Sequence, residues 1–261
     1  MNNQPIGIFD SGIGGLSILL EIKKLLPQET FIFVADKAYM PYGSKTQPEL
    51  LDRVGRIMEF FKQKQVKAVV MACNTATVYT IDEMRKKYEF PIVGTVPVVK
   101  TIAALTKTGR VAVFSTPATA KSPYLAQMIQ LFAPSIAVEC VGGSNLEALI
   151  ENGDIDTPET LQTLKSHLVP LVEHGVDTIA LGCTHYPFLR KKIEEIVGSG
   201  VTVVDSGGAV ARRLQQVLEN ENLLSGQKGT DLYYTTSDAE SFGRTATMLM
   251  PWEIKAEEIS L

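Results

Sequence analysis

The sequence has little of what marks secreted, disulfide-bonded or membrane-spanning proteins. It contains three cysteines among 261 residues, an odd number and too few for a disulfide framework. No apolar run approaches the ~20 residues of a membrane span, and residues 1–5 lack the basic start and apolar core of a signal peptide. We therefore expect a cytoplasmic protein that makes no membrane contact and keeps its thiols free.

An excess of positive charge is also missing. The 25 basic and 29 acidic side chains give a net charge of −4, which argues against a nucleic-acid partner. Basic clusters at residues 85–87 and 190–192 fall on predicted helices beside acidic residues, a pattern typical of solvated faces. With 45% hydrophobic residues the chain is globular, and its expected partner is a small-molecule substrate.

Apolar, β-branched runs alternate with helical patterns along the chain. Strands are predicted at residues 6–10, 30–35, 68–72, 92–94, 110–115, 136–141, 178–182, 201–205 and 232–235. Helices are predicted, among others, at residues 16–26, 48–64, 77–87 and 158–174. This alternation favours an α/β fold with mainly parallel sheets that helices cover on both faces.

Two short segments repeat one pattern. An apolar run at residues 68–72 leads into Cys73, and another at residues 178–182 leads into Cys183, each followed by small polar residues. Open α/β sheets bind their ligands at the carboxyl ends of strands. A thiol at two such ends predicts two half-sites for one substrate, an arrangement suited to chemistry from both faces of a carbon atom.

A second repeat supports a duplicated lobe, because residues 10–12 and 205–207 both read Asp-Ser-Gly after a buried-strand pattern. The sequence predicts two pseudo-symmetric lobes, each a mainly parallel sheet flanked by helices, with the active site in the cleft between them. Lobe A is assigned residues 1–97 plus 207–261 and carries Cys73, lobe B is assigned residues 98–206 and carries Cys183, and stretches 97–109 and 206–209 connect them.

A glycine-rich turn follows the first predicted strand. Its glycines, at positions 12, 14 and 15, would let the backbone approach a ligand, and the next helix offers free N–H groups to an anion. The G-x-G-x-x-G fingerprint is absent, although Asp36 stands near the distance of a ribose-binding acid, so no dinucleotide is expected. Asp10 fits either a helix cap or a functional carboxylate.

A turn signal, Pro followed by Gly, surrounds Tyr42 at residues 39–44. It is compatible with an ordinary surface loop. It is equally compatible with a substrate loop in which Tyr42 and backbone N–H groups line the site.

Each thiol also has a plain structural reading, since most free cysteines are small buried hydrophobic residues. The polar residues after Cys73 and Cys183 favour a functional reading, because helix N-termini lower the pKa of a thiol and bind carboxylates. Cys140 lacks such residues and is predicted to be structural. Of the three histidines only His185 lies beside a candidate thiol, and the absence of C-x-x-C or H-x₃₋₅-H spacing predicts no metal site.

Four motifs stand in order along the chain. They read FDSGIGG at residues 9–15, PYG at 41–43, ACNTA at 72–76 and GCTHYP at 182–187. Together they resemble the signatures of the glutamate racemases, a family of the cofactor-independent aspartate/glutamate racemase superfamily. The similarity runs through nearly the whole chain, as far as residues 233–237.

The resemblance implies roles for individual residues. The catalytic thiols would be Cys73 and Cys183, with Asp10 and His185 as assisting acid/base groups. The substrate-binding pairs would be Asp10 with Ser11, Tyr42 with Gly43, Asn74 with Thr75, and Thr184 with His185. Glu151 is expected to be a further catalytic residue, because it matches a family glutamate in a Leu/Val-Glu-x-Gly context. Residues 140–145, however, depart from the Cys-Pro pattern that usually precedes this glutamate.

The activity that the resemblance implies is the interconversion of L- and D-glutamate without a cofactor. One thiol would remove the α-proton while the other returns a proton to the opposite face, and the D-glutamate would supply peptidoglycan synthesis. A homodimer is also expected.

Other readings remain open. An aspartate racemase, a hydantoin racemase or a maleate isomerase of the same superfamily would share the two thiols. A two-lobe binding protein for an acidic small molecule would carry inert cysteines. A thiol hydrolase would use Cys183 with His185 and would not need Cys73.

Overall fold

The computed structural model describes residues 2–96 and 98–261, and within them ten strands and eleven α-helices alternate along the chain. The strands are β1 (Ile6–Asp10), β2 (Phe31–Ala35), β3 (Ala68–Met71), β4 (Ile92–Gly94), β5 (Arg110–Ser115), β6 (Ala137–Gly142), β7 (Thr178–Leu181), β8 (Thr202–Asp205), β9 (Leu232–Thr235) and β10 (Ala256–Glu258). The helices are α1 (Leu16–Leu25), α2 (Gln47–Gln63), α3 (Asn74–Lys87), α4 (Val99–Leu105), α5 (Pro117–Ala120), α6 (Pro123–Phe132), α7 (Leu146–Asn152), α8 (Pro158–Glu173), α9 (Arg190–Val197), α10 (Gly207–Asn220) and α11 (Ala239–Leu249). The predicted α/β class is confirmed.

The chain divides into two compact units. Unit 1 comprises Met1–Thr95 with Gly207–Leu261, and unit 2 comprises Val96–Ser206. The boundary predicted at residue 97 falls on Pro97, which lies outside the described residues. The remainder of the predicted connection 97–109 contains helix α4 and the start of the turn into β5.

Unit 1 is built on a six-stranded sheet with the order β10-β9-β2-β1-β3-β4, in which every neighbouring pair is parallel. Strands β1 and β2 are buried along their whole length. Helices α2 and α3 pack over one face through a core that includes Phe9, Met58 and Phe61. The strand order reverses between β1 and β3, and such a switch point is where open α/β sheets bind ligands.

Unit 2 is built on a four-stranded parallel sheet with the order β6-β5-β7-β8. Its core joins Val111 and Val113 of β5 with Ile102 of α4 and Leu125 of α6. Here the order reverses between β5 and β7. Each sheet therefore has its switch point beside the strand that leads into a candidate thiol, β3 before Cys73 and β7 before Cys183.

Local chemistry explains where the helices begin. Thr46 and Glu49 form a reciprocal capping box at the start of α2, and Pro48 stands in its first turn. Helix α3 begins at Asn74, three residues before the predicted start at residue 77, because the side chain of Cys73 caps it. Strand β10, which pairs with β9 at the edge of the sheet, has no counterpart among the predicted strands.

Candidate active site

Cys73 lies at the N-terminus of helix α3, two residues after the end of β3. Its Sγ accepts the backbone N–H of Ala76 at 3.5 Å, and its thiol points to Ser11 Oγ at 3.8 Å. The side chain is only 6% exposed. The sulfur therefore sits in the positive end of the dipole of a 14-residue helix, a position that stabilises a thiolate.

Asp10 ends β1, the strand beside β3 in the sheet, and is fully buried. Its Oδ2 accepts the backbone N–H of Gly15 at 2.6 Å, so the carboxylate caps the glycine turn. A Cβ on Gly15 would stand 2.6 Å from the Cβ of Asp10 and 3.2 Å from that of Ala72. Glycine at this position therefore lets the turn close over the ends of β1 and β3.

Asn74 and Thr75 form the first turn of α3 and are both buried. The amide oxygen and nitrogen of the Asn74 side chain have no hydrogen-bond partner among the described residues. The backbone N–H groups of a first helical turn also lack partners within the helix. This turn thus offers buried donors to an anionic ligand.

Tyr42 belongs to the loop of residues 39–44, and its side chain is buried. Its hydroxyl donates to Asp36 Oδ2 at 2.6 Å, and Asp36 also accepts from Arg53 Nε at 2.8 Å and from Thr236 Oγ1 at 2.9 Å. Burial, followed by the charge of Asp36, raises the pKa of Tyr42 well above its ordinary value. The phenol therefore stays protonated and its hydrogen bond to Asp36 anchors the loop. The neighbouring Gly43 is exposed.

Cys183 follows β7 in unit 2, with its side chain buried. Its Sγ lies 3.6 Å from Nδ1 of His185, and Nε2 of His185 lies 2.9 Å from Oε1 of Glu151. Glu151 stands on α7, 34 positions before His185, and all three side chains are buried. The fold thus assembles a thiol, an imidazole and a carboxylate in line.

The protonation of this set follows from its surroundings. Burial alone lowers the pKa of His185, but its hydrogen bonds with Cys183 and Glu151 outweigh burial and raise that pKa well above the ordinary value. Burial and then the charge of Glu147 raise the pKa of the Cys183 thiol, against the lowering effect of His185. Burial thus favours the thiol form of Cys183, and the contact with Glu151 favours the protonated form of His185.

The predicted site residues separate by unit. Asp10, Ser11, Tyr42, Gly43, Cys73, Asn74 and Thr75 belong to unit 1, whereas Glu151, Cys183, Thr184 and His185 belong to unit 2. Within its unit each group gathers at or after the carboxyl ends of strands. Cys140 lies on the edge strand β6 and is exposed, so it does not contribute to the core.

Sequence reasoning missed three polar residues that support these groups. Asp36 and Arg53 hold Tyr42, and the buried hydroxyl of Tyr186 contacts the carbonyl oxygens of Ser115 and Gly143. The sequence pattern around Asp36 suggests only the position of a ribose-binding acid. Tyr186 stood inside a quoted motif, but its role depends on contacts with residues 43 and 71 positions away, which no local pattern reveals.

Two further features bear on function. Across residues 2–96 and 98–261, no cluster of three or more His, Cys, Asp or Glu side chains is placed to hold a metal ion. Over the same part of the chain, no helix combines the length and apolar character that crossing a bilayer requires.

Comparison with known proteins identifies the class to which this site belongs. The family model described as Asp/Glu/Hydantoin racemase matches residues 16–214, and the chain belongs to that family. The predicted family and the predicted isomerase class are thereby confirmed.

Individual relatives narrow the similarity further. The glutamate racemase of Pseudomonas aeruginosa is 42% identical over 251 residues, which cover 95% of each chain. The solved glutamate racemase of Bacillus anthracis superposes with a TM-score of 0.90 at 30% identity and covers 100% of this chain and 99% of its own. That of Escherichia coli, solved with L-glutamate and the activator UDP-MurNAc-Ala, gives a TM-score of 0.87 at 32% identity over 98% of this chain and 97% of its own.

Proposed function

We propose that this protein is a glutamate racemase in which Cys73 and Cys183 exchange protons with opposite faces of the substrate α-carbon. The observation that carries the proposal is the equivalent placement of the two thiols, each two residues beyond a strand at the switch point of a parallel sheet. Its relatives of 41–43% identity carry the name glutamate racemase, which supports glutamate as the substrate.

The chemistry needs one thiolate and one thiol at the moment of binding. The Ala76 N–H group and the α3 dipole favour a thiolate at Cys73. Burial favours a thiol at Cys183. After Cys183 gives its proton to the substrate, the neighbouring His185 imidazolium can return a proton to the sulfur. For the opposite enantiomer the two thiols exchange roles.

An acidic substrate fits the donors around each thiol. We assign the substrate carboxylates to the first turn of α3, at Asn74 and Thr75, and to Thr184 beside Cys183. Ser11 and the backbone after Tyr42 complete the set on unit 1. Preorganised donors of this kind stabilise the negative charge that develops when the α-proton leaves.

The principal test removes each thiol in turn. We expect Cys73→Ala and Cys183→Ala each to lower the racemisation rate of glutamate by at least about 10²-fold, the usual contribution of a positioned acid or base. Cys140→Ala, which removes the exposed third thiol, is the matched control and should retain the wild-type rate. Near-normal rates in both site variants would end the two-thiol account.

A second measurement tests the two-base mechanism directly. In heavy water, product formed in the first turnover should carry deuterium at the α-carbon, because the proton removed by one thiol does not return from the other. Product that keeps the substrate hydrogen would instead indicate a single shuttling base.

Glutamate and aspartate are compared in the same circular-dichroism assay without added cofactor. Turnover of aspartate in preference to glutamate would favour the aspartate racemase alternative.

The cellular setting is part of the proposal. We place the enzyme in the cytoplasm as a homodimer that supplies D-glutamate for peptidoglycan. Light scattering after size exclusion gives the mass in solution, and a mass near the 28.5 kDa of one chain would contradict the dimer.

A further inference from the structure

One buried hydroxyl links three segments of unit 2. The Tyr186 side chain is fully buried, and its Oη lies 3.0 Å from the carbonyl oxygen of Gly143 and 3.2 Å from that of Ser115. Its ring packs against Phe114 with 4.7 Å between centroids. A single phenolic proton thus faces two carbonyl acceptors in a site shielded from water.

Two of these segments lead to the acid/base groups of unit 2. Ser115 ends β5, Gly143 lies in the connection between β6 and α7, and α7 carries Glu151. Tyr186 directly follows His185 in the chain. The backbone N–H of Gly143 also donates to the Ser115 carbonyl at 2.8 Å, so the connection before α7 is tied to the end of β5.

Packing leaves the hydroxyl little freedom. A Cβ on Gly143 would lie 2.7 Å from the Tyr186 Oη and 2.9 Å from the Phe114 ring. Glycine at this position therefore opens the slot that the hydroxyl fills. Hydrogen bonds and close packing together define one position for the start of α7 relative to the segment of His185.

We propose that Tyr186 is a positioning residue that holds Glu151 against His185 and so keeps His185 directed at Cys183. The hydroxyl does not touch the reacting atoms. It acts by fixing the separation between α7 and the His185 segment, on which the 2.9 Å contact between His185 and Glu151 depends. The effect on turnover rests on the proposed function, whereas the effect on His185 does not.

The titration of His185 reports this positioning directly. The ionisable groups that act on His185 are Cys183 and Glu151, and Glu147 acts on Cys183 by its charge. The chain has three histidines, so nitrogen NMR can follow each imidazole separately. In Tyr186→Phe we expect the pKa of His185 to fall toward its unperturbed value of about 6.5, because the contact with Glu151 loosens.

A matched control separates positioning from general stability. The Tyr88 hydroxyl in unit 1 also faces two acceptors, the Gly55 carbonyl at 3.1 Å and Glu59 Oε1 at 2.8 Å. Tyr88→Phe therefore removes a hydroxyl with two acceptors at a place away from His185. It should leave the His185 titration and kcat unchanged. Tyr186→Phe should lower kcat by about ten- to a hundredfold, since misplacement of a reacting group by about 1 Å costs on the order of 10²-fold.

The outcomes are decisive in each case. An unchanged His185 titration in folded Tyr186→Phe overturns the inference, as does an equal change in Tyr88→Phe. If the phenylalanine variant does not fold, 4-fluorophenylalanine at position 186 keeps the size of tyrosine without donating a proton, and it must reproduce the fall in the His185 pKa. Absence of glutamate turnover in the wild-type protein would defeat the proposed function and leave the NMR result to decide this inference.

Discussion

The side chains of His185 and Glu151 form a buried pair in which Nε2 of the imidazole lies 2.9 Å from Oε1 of the carboxylate. The opposite ring nitrogen faces the sulfur of Cys183. One carboxylate therefore fixes both the orientation and the charge of the imidazole beside the thiol. The resemblance predicts a catalytic role for Glu151. The contact with His185 is the route by which this carboxylate would act on the thiol.

Glu151→Gln keeps the shape of this pair but removes its negative charge, so the pKa of His185 should fall. Burial opposes protonation of His185, and the contacts with Cys183 and Glu151 raise its pKa above the ordinary value. A raised pKa in the folded state stabilises the fold fully below the unfolded pKa of about 6.5, and this stabilisation is lost as the pH rises through the folded value. The deficit in Tm of Glu151→Gln should therefore be largest near pH 6 and shrink at alkaline pH.

A surface pair provides the control for this measurement. His174 Nδ1 lies 3.0 Å from Glu139 Oε2, with the two side chains 55% and 32% exposed. Glu139→Gln should change Tm little at any pH, because solvent screens exposed pairs. A pH-independent loss of Tm in Glu151→Gln would show that the charge of His185 does not depend on Glu151.

The Asp36 network should control how tightly the loop of residues 39–44 is held. Asp36→Asn leaves the Arg53 guanidinium without its carboxylate, and removal of one partner from a buried pair costs about 3–5 kcal/mol. Tyr42→Phe removes one hydrogen bond of 2.6 Å and should cost about 1–3 kcal/mol. Both variants should raise KM for glutamate more than they lower kcat, and urea unfolding with steady-state kinetics measures the two effects.

A wild-type KM in a folded Asp36→Asn protein would mean that the loop does not depend on this network. Asp52→Asn is the matched control, since the ion pair of Asp52 with Arg56 on α2 is largely exposed. It should alter neither stability nor KM.

How much of this structure the sequence could predict depends on how far apart in the chain the interacting residues lie. Strands β1, β4, β5 and β9 begin and end as predicted, because each is a short run of mainly buried residues of the kind that a parallel strand requires. Strand β10 reads Ala-Glu-Glu and lies at the sheet edge. Its pairing with β9 comes from tertiary contact, for which no hydrophobic pattern exists.

The candidate site shows the same division. Motifs identified Cys73 and Cys183 because each thiol and its polar neighbours are contiguous in the chain. The contact between Glu151 and His185 joins residues 34 positions apart, and Asp36 accepts from Thr236 at a separation of 200. Such contacts require the strand order, which alternation of strands and helices leaves undetermined.

Lys67 and Glu29 form a fully buried ion pair whose disruption should destabilise unit 1. Their side chains are 0% and 2% exposed with 2.6 Å between Nζ and Oε2, and Lys67 also donates to the backbone carbonyls of Asn2 and Leu223. Lys67→Met leaves the Glu29 carboxylate buried without its partner and should lower the free energy of unfolding by about 3–5 kcal/mol. The double variant Lys67→Met with Glu29→Leu should recover much of this loss. Lys86→Met is the control, because it breaks an exposed pair with Glu83 and should lower the free energy of unfolding by less than about 1 kcal/mol. Urea unfolding measures both variants, and equal losses for Lys67→Met and Lys86→Met would contradict the burial argument.

Two glycines should respond to alanine in opposite directions. At Gly15 a Cβ would meet the Asp10 Cβ at 2.6 Å and the Ala72 Cβ at 3.2 Å, between the ends of two packed strands that cannot yield separately. Gly15→Ala should therefore destabilise the protein by about 1–3 kcal/mol through overpacking. It should also lower turnover, because the turn positions Asp10 and Ser11 beside Cys73.

At Gly55, inside α2, a Cβ would meet no atom within 4 Å. Gly55→Ala should stabilise the protein by about 0.5–1 kcal/mol, since alanine loses less backbone entropy in a helix. Thermal melts and initial rates of both variants test the pair. A stabilised Gly15→Ala protein would contradict the overpacking argument. A fully active one would show that the glycine turn can shift without moving Asp10 and Ser11 relative to Cys73, so that the close approach of β1 to β3 would have no bearing on catalysis.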